Sequence, residues 1–290
     1  RYYTNQAYAK SLQYYRAIDT SQLARATQHE LQYRLAYAYL SEKDFAQALT
    51  YFNAIKAHDN PYTHAANYYA GYLALRNGDY ETALADLQKA SEEEAYQPVV
   101  PYLIQEVYYQ QRRFQELIAY SKEVKNIAAH LKNQEDIALL TAEAYFFLKD
   151  YTAAAQHYEA YVALQDGAVA GEVLYRLAYA LYKTEEDYKA LKYFKEAALQ
   201  EDGMSQLASY YAGLLYLKTN QKTLALAALD KARQTDTLSE MHAEATFQYA
   251  KVNYDLGHLT KAIETLQKFK QSYPASQHLA EANAQIGRAS

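Results

Sequence analysis

One hydrophobic pattern occurs eight times along the chain. In each copy a first residue, usually large, is followed by a second at +3, a third, usually large, at +7 and a fourth, usually apolar, at +10, with polar residues in between. These spacings place the four side chains on one face of an α-helix. The second members are mostly alanine, and they are Ser11, Ala48, Ala83, Leu117, Ala154, Ala190, Ala225 and Ala262. The pattern therefore predicts eight amphipathic helices that recur every 34 to 37 residues.

A further helix is predicted before each of these amphipathic helices except the first, so that the two form one repeating unit. Examples are QYRLAYAYL, NYYAGYLAL, EVLYRLAYALY and FQYAKVNYDL, and a short turn such as SEKD, RNGD or DLGH follows. A helix–turn–helix unit of this length cannot bury its apolar face alone, so neighbouring units stack to form a continuous core. We therefore predict an all-α fold built from stacked helix pairs.

A larger duplication is visible within this series. The string YRLAYA begins at Tyr33 and again at Tyr175, and YYAG begins at Tyr68 and again at Tyr210. Both strings return after 142 residues, which equals four units, so a block of four units was copied in tandem. Within YRLAYA we expect four residues to face the core, and these are Leu35, Ala36, Leu177 and Ala178.

The unit resembles the tetratricopeptide (TPR) repeat. Leu35, Ala36 and Tyr39 take the family's positions in the first helix, and Ala48 and Phe52 take those in the second. Further matches are Gly71 and Gly213 at the small position and Pro274 at the closing proline. The resemblance implies a right-handed α-solenoid of antiparallel helix pairs, a TPR-like superhelix.

The register of the pattern predicts the limits of the copies. We expect a single solenoid over residues 1–290, with partial copies at 1–28 and 277–290. The complete copies are expected at about 29–63, 64–97, 98–134, 135–170, 171–205, 206–242 and 243–276. Because terminal repeats of such arrays normally carry polar caps, the two partial copies predict a fragment of a longer array.

The resemblance also implies a concave groove lined by the first helix of each pair. The residues expected to face it are Tyr33, Tyr37, Tyr68, Tyr72, Tyr102, Glu106, Glu143, Tyr175, Tyr179 and Tyr210. Some family members clamp a terminal carboxylate with Lys and Asn at these positions, and the tyrosines disfavour that ligand here. An aromatic-walled groove favours an apolar, proline-containing or aromatic segment, bound in extended or helical form. We therefore predict a non-catalytic protein-interaction scaffold that binds a peptide or helix of a partner.

Two alternatives remain open from the sequence. Glu106 and Glu143 take equivalent positions in adjacent copies, at a spacing that suits the two carboxylates of an inverting glycosidase, and tyrosines stack on sugars. A glycan-binding or glycan-cleaving helical superhelix of the cell envelope is therefore the second hypothesis. Self-association through the tyrosine-rich surface is the third.

Composition narrows the function classes further. The 34 Asp and Glu outnumber the 29 Lys and Arg, so a net charge of −5 disfavours nucleic acid as a partner. The chain has no cysteine, its eight histidines form no metal-binding motif, and no glycine-rich phosphate loop occurs. We therefore expect no cofactor and no metal. No apolar run is long enough for a transmembrane segment.

The last copy carries a hint about location. The string LQKFKQSYPASQHLAEANAQIG resembles the TPR modules of bacterial cell-envelope proteins, such as those of the Tol–Pal system and of outer-membrane barrel assembly. The resemblance covers some twenty residues. It favours the bacterial periplasm or cell envelope over the cytoplasm.

Overall fold

The computed structural model describes residues 7–124, 131–200, 203–234 and 238–289. Within these ranges there are sixteen α-helices, one short 3-10 helix and no β-strand. The chain separates into two compact units, Arg1–Ala144 and Tyr145–Ser290. Most helices pack against the next helix along the chain, so the all-α solenoid architecture expected from the sequence is confirmed.

Unit 1 contains the first seven helices and most of the eighth. They are α1 (Tyr8–Arg16), α2 (Arg25–Ser41), α3 (Phe45–Lys56), α4 (Thr63–Arg76), α5 (Tyr80–Ala90), α6 (Val100–Gln110), α7 (Phe114–Val124) and α8 (Gln134–Phe147). The 3-10 helix Glu94–Tyr96 lies between α5 and α6. The last three residues of α8 belong to unit 2.

Unit 2 continues the alternation of paired helices. They are α9 (Tyr151–Leu164), α10 (Gly171–Lys183), α11 (Asp187–Ala198), α12 (Ser205–Lys218), α13 (Lys222–Gln234), α14 (Ser239–Asp255), α15 (Leu259–Ser272) and α16 (Leu279–Ala289). None of the helices in the described ranges has both the length and the apolar character needed to cross a membrane.

The small residues of the repeated pattern lie where helices pack. Seven of the eight second members have no exposed surface, and they are Ala48, Ala83, Leu117, Ala154, Ala190, Ala225 and Ala262. The third members Phe52, Tyr158 and Phe194 are also fully buried. A small side chain at the contact lets two helices approach, and the large one fills the space beside it. Leu35, Ala36, Leu177 and Ala178 are buried as predicted.

The same turn joins the two helices of every pair from α2 to α15. One exposed residue of each turn has a positive φ, between 55° and 79°, and these residues are Lys43, Gly78, Arg112, Lys149, Glu185, Asn220 and Gly257. The next residue donates its N–H to the carbonyl five residues earlier, as from Asp44 to Tyr39 at 2.9 Å. This bond satisfies a carbonyl at the end of the first helix, as in a Schellman motif.

Two glycines allow the closest approach between paired helices. A Cβ added to Gly71 in α4 would lie 2.8 Å from Cγ of Leu87 and 3.2 Å from the carbonyl oxygen of Ala83. A Cβ added to Gly213 in α12 would lie 2.8 Å from Cγ of Leu229. Glycine is therefore required at both positions because the second helix occupies the space of a side chain.

A partly buried ion pair links the second helices of two adjacent pairs. Lys56 of α3 contacts the carboxylate of Asp86 in α5. Burial raises the pKa of Asp86 above its ordinary value of 3.8, and Lys56 opposes this rise. Lys56 therefore holds its partner in a position where a lone carboxylate would be costly.

Candidate partner-binding site

Five aromatic side chains in unit 1 form a connected group, which we call cluster 1. It consists of Tyr8, Tyr33, Tyr37, Phe52 and Tyr69. Phe52 stacks on Tyr69 with ring centroids 5.2 Å apart and an interplanar angle of 20°. Tyr37 makes edge contacts with Tyr69 at 5.5 Å and with Tyr8 at 5.8 Å. Four helices, α1 to α4, are thus joined through one set of rings.

Unit 2 contains a matching group, cluster 2. It consists of Tyr151, Tyr175, Tyr179, Phe194 and Tyr211, which correspond in the repeat register to the members of cluster 1. Phe194 stacks on Tyr211 at 5.4 Å and 11°. Tyr179 makes edge contacts with Tyr211 at 5.4 Å and with Tyr151 at 5.7 Å. The duplicated block therefore preserves the contacts of the rings as well as their identities.

Tyr33, Tyr37, Tyr175 and Tyr179 are half-buried members of these two clusters. Burial, followed by the neighbouring phenols, raises the pKa of Tyr175 above its ordinary value of 10. These side chains thus present part of each ring to solvent and use the remainder for packing. Their role in partner binding remains a prediction.

An open cleft lies beside cluster 1, and we call it the Tyr72 cleft. It comprises two adjoining cavities of about 340 and 400 Å³ that share Tyr72 and Arg76. The first cavity is lined by the end of α2, the start of α3 and α4, and includes Leu40, Phe45, Tyr68, Tyr69, Tyr72 and Arg76. The second is lined by α4, α5 and α6, and includes Tyr72, Leu75, Arg76, Tyr80, Tyr102 and Glu106. Four residues of the predicted groove therefore lie in one cleft: Tyr68, Tyr72, Tyr102 and Glu106.

Charged groups in the Tyr72 cleft are held by aromatic and polar neighbours. The guanidinium of Arg76 lies 4.4 Å from the ring centroid of Phe45 and 6.0 Å from that of Tyr72. Glu106 accepts a hydrogen bond from Gln110 at 2.6 Å. Burial raises the pKa of Tyr102, and the charge of Glu106 raises it further. The cleft therefore offers phenol rings, two cations, Arg76 and Lys43, and one carboxylate.

Two residues of the predicted groove have little surface to offer. Glu143 is 4% exposed and Tyr210 is 9% exposed. Glu143 is absent from the lining of both cavities of the Tyr72 cleft, whereas Glu106 is present. The glycosidase hypothesis requires both carboxylates to face one site, and the Tyr72 cleft contains only Glu106 of the two.

Several important residues were missed in the sequence. Tyr69 stacks on Phe52 and Tyr211 stacks on Phe194, yet the groove position was predicted for the tyrosine before each of them. The string YYAG repeats both tyrosines, so the signal was present. Tyr80 is the first member of one copy of the repeated helix pattern, so its signal in the sequence was for packing. Arg76, which also lines the cleft, belongs to no repeated string.

Comparisons with known proteins agree with this architecture. A model of the tetratricopeptide repeat family matches residues 28–98 and 210–277. The comparison with curated proteins gives no match. Among the described residues no group of three or more His, Asp or Glu side chains is placed to hold a metal ion.

Two similar solved structures are TPR proteins. YrrB is 18% identical with a TM-score of 0.57, and the match covers 68% of this chain and 97% of YrrB. A protein from Parabacteroides merdae is 12% identical with a TM-score of 0.52, covering 91% of this chain and 99% of that one. Arrays of this kind are generally non-catalytic scaffolds for protein–protein interaction. The chain therefore carries tetratricopeptide repeats in both of its units, over residues 28–98 in unit 1 and 210–277 in unit 2.

Proposed function

We propose that this protein is a non-catalytic scaffold that binds a peptide or helix of a partner protein in its tyrosine-lined groove. The observation that supports the proposal is the Tyr72 cleft, where Tyr68, Tyr72, Tyr102 and Glu106 line adjoining cavities. YrrB, one of the similar structures, is described as a TPR protein with an unusual peptide-binding site. A peptide is therefore the ligand class that best fits this cleft.

The chemistry of the cleft favours a ligand with an apolar or aromatic anchor. Tyrosine rings supply large rigid contact area at little cost in conformational entropy, and their hydroxyls form hydrogen bonds at the rim. Arg76 lies over Phe45 and Tyr72, where its charge can pair with a carboxylate of the ligand. Because most of the lining is uncharged, the affinity should depend only modestly on salt.

The test is a selection of peptides on the full chain. A displayed library of random 12-residue peptides is enriched on the immobilised protein, and the affinity of the enriched peptides is measured by titration calorimetry. Tyr72→Ala and Tyr102→Ala should each weaken binding by about 30-fold, since truncation of a central aromatic anchor typically costs about 2 kcal/mol. Circular dichroism should show unchanged helicity.

The matched control is Tyr188→Ala. This tyrosine lies on α11 in unit 2 and is 88% exposed, so it is far from any packing role. It should leave both the affinity and the melting temperature unchanged. If Tyr72→Ala and Tyr102→Ala bind the enriched peptides as tightly as the control does, another surface carries the function.

A further inference from the structure

Two cationic side chains of unit 2 converge on one buried ring. The guanidinium carbon of Arg233 in α13 lies 4.1 Å from the ring centroid of Tyr249, and the ammonium of Lys261 in α15 lies 5.4 Å from it. Tyr249 belongs to α14 and is 2% exposed. Asp230 pairs with Arg233 at 2.6 Å. One carboxylate therefore faces two cations that repel each other, and the local charge is positive.

An open cavity of about 350 Å³ lies beside these cations. Its lining includes Arg233 and Lys261, and also Lys268 two turns further along α15. Lys268 forms no ion pair with any residue that the structure describes. Glu264 is the only carboxylate in the lining, and in the described part of the chain it pairs with neither lysine within 4.0 Å. The cavity is thus cationic in a chain whose net charge is −5.

A buried hydroxyl without a partner lies at the same cavity. Thr246 of α14 is one of its lining residues and is 6% exposed, and its Oγ1 forms no hydrogen bond with any group in the described ranges. His242, one turn earlier in α14, is already hydrogen-bonded to Tyr273. Buried hydroxyls normally have a partner, so one that lacks it beside a cationic cavity indicates a ligand that accepts a hydrogen bond.

We propose that this cavity binds a phosphate group, either as free phosphate or as a phosphoryl group on a larger ligand. Phosphate carries between about one and two negative charges at neutral pH and several acceptor oxygens, which match three cations and hydroxyl donors from Thr246 and Ser272. Asp230 and Glu264 offset part of the positive charge, so phosphate is favoured over a single carboxylate by its larger number of acceptor oxygens, which can contact several of these donors at once. The cavity uses none of the positions predicted to line the groove, so the inference is independent of the proposed function.

The first experiment is a calorimetric titration of the full chain at low ionic strength with inorganic phosphate and, separately, with acetate. Phosphate should bind and acetate should bind at least tenfold more weakly. Lys261→Gln and Lys268→Gln should each weaken phosphate binding by about tenfold, because each removes a charge-assisted contact. Lys270→Gln, on the same helix but outside the lining, is the matched control and should leave the affinity unchanged.

A second variant separates binding from stability. Thr246→Val keeps the shape of the side chain and removes the unpartnered hydroxyl, so the melting temperature should stay the same or rise while phosphate binding weakens. Equal affinities for phosphate and acetate, or full affinity in both Lys268→Gln and Thr246→Val, would overturn the proposal.

The source of the phosphate group is resolved by two further ligands. A short peptide containing phosphoserine and its unphosphorylated form are titrated under the same conditions. Tighter binding of the phosphopeptide than of inorganic phosphate supports a phosphoryl group on a partner. Equal affinities support the free ion, and both results agree with the proposed class of ligand.

Discussion

Cluster 1 and cluster 2 share the same stacked pair of phenylalanine and tyrosine but differ in the residues around that pair. The stacked pair of phenylalanine and tyrosine differs by only 0.2 Å between the units, from 5.2 Å in Phe52–Tyr69 to 5.4 Å in Phe194–Tyr211. At the edge of cluster 1, Tyr62 stacks on Tyr33 at 4.9 Å. The residue 142 positions after Tyr62 is Met204. The stacked pair is therefore a packing unit common to both clusters, and the two units diverged in the residues beside it.

A second position beside the stacked pairs holds an aromatic residue in unit 2 and an aliphatic one in unit 1. Tyr182 lies 5.4 Å from Tyr211 in unit 2, and the corresponding residue of unit 1 is Leu40. Leu40 lines the Tyr72 cleft, so the smaller side chain stands where that cleft opens. The duplicated rings therefore supply stability to both units, whereas their neighbours give each unit its own surface.

The largest effect on stability should come from removing Phe52 or Phe194, the phenylalanine of each stacked pair. Phe52→Ala and Phe194→Ala should each lower the free energy of unfolding by about 3–5 kcal/mol, because both side chains are fully buried and a cavity remains. In a solenoid each repeat contacts only its neighbours, so each variant should first unfold its own unit. Hydrogen exchange followed by mass spectrometry would locate the loss of protection.

Tyr188→Ala again provides the control, with a change within about 0.5 kcal/mol. Loss of protection in unit 2 caused by Phe52→Ala would show that the two stacked pairs are energetically coupled. It would contradict the prediction that each variant first unfolds its own unit.

An intermediate effect is expected at the two glycines. Gly71→Ala and Gly213→Ala should overpack the helix contact by about 1–3 kcal/mol. Gly71→Ala should cost more, because its new methyl group would also meet the backbone oxygen of Ala83 at 3.2 Å, whereas the equivalent oxygen of Ala225 lies 3.6 Å from Gly213. Chemical denaturation of both variants measures the difference. An equal loss would mean that the flexible leucine side chains alone decide the cost.

The smallest effect concerns alkaline stability. Burial, followed by Glu244, raises the pKa of Tyr210 to about 12, and burial, followed by Tyr72, raises that of its counterpart Tyr68. A raised pKa in the folded state means that the unfolded chain ionises first. The stability contributed by Tyr210 is therefore complete below about pH 10 and falls as the pH rises toward 12.

Tyr210→Phe cannot ionise, so its alkaline unfolding midpoint should lie above that of the wild type. Tyr68→Phe should produce a smaller rise. Circular dichroism across the alkaline range gives the midpoints, and absorbance at the phenolate band follows ionisation. A larger rise in the midpoint for Tyr68→Phe than for Tyr210→Phe would contradict the predicted order of the two effects.

The sequence predicted the helix pairs well because their cause is local. Spacings of +3, +7 and +10 fix one face of a helix, and Ala48, Ala190 and Phe194 are buried where that face predicts. Groove positions depend on how far one repeat rotates against the next, which no spacing within a repeat encodes. Tyr210 is therefore nearly buried although its repeat position suggested an exposed ring.

Cross-repeat chemistry was the least predictable part. Thr246, Arg233 and Lys261 come from three helices, and no string of the sequence connects them. Their convergence depends on the packing of α13, α14 and α15. The location suggested by the turn at Pro274 likewise stays a prediction.

The turn shared by all seven helix pairs makes the chain well suited to site-specific labelling. Five of its seven left-handed positions already hold a residue with a side chain, and all seven are exposed. Since the chain has no cysteine, a cysteine introduced at Arg112 or Glu185 would be the only thiol and could carry a fluorophore. Pairs of such labels would form a molecular ruler along the repeats, able to report any bending when a partner binds.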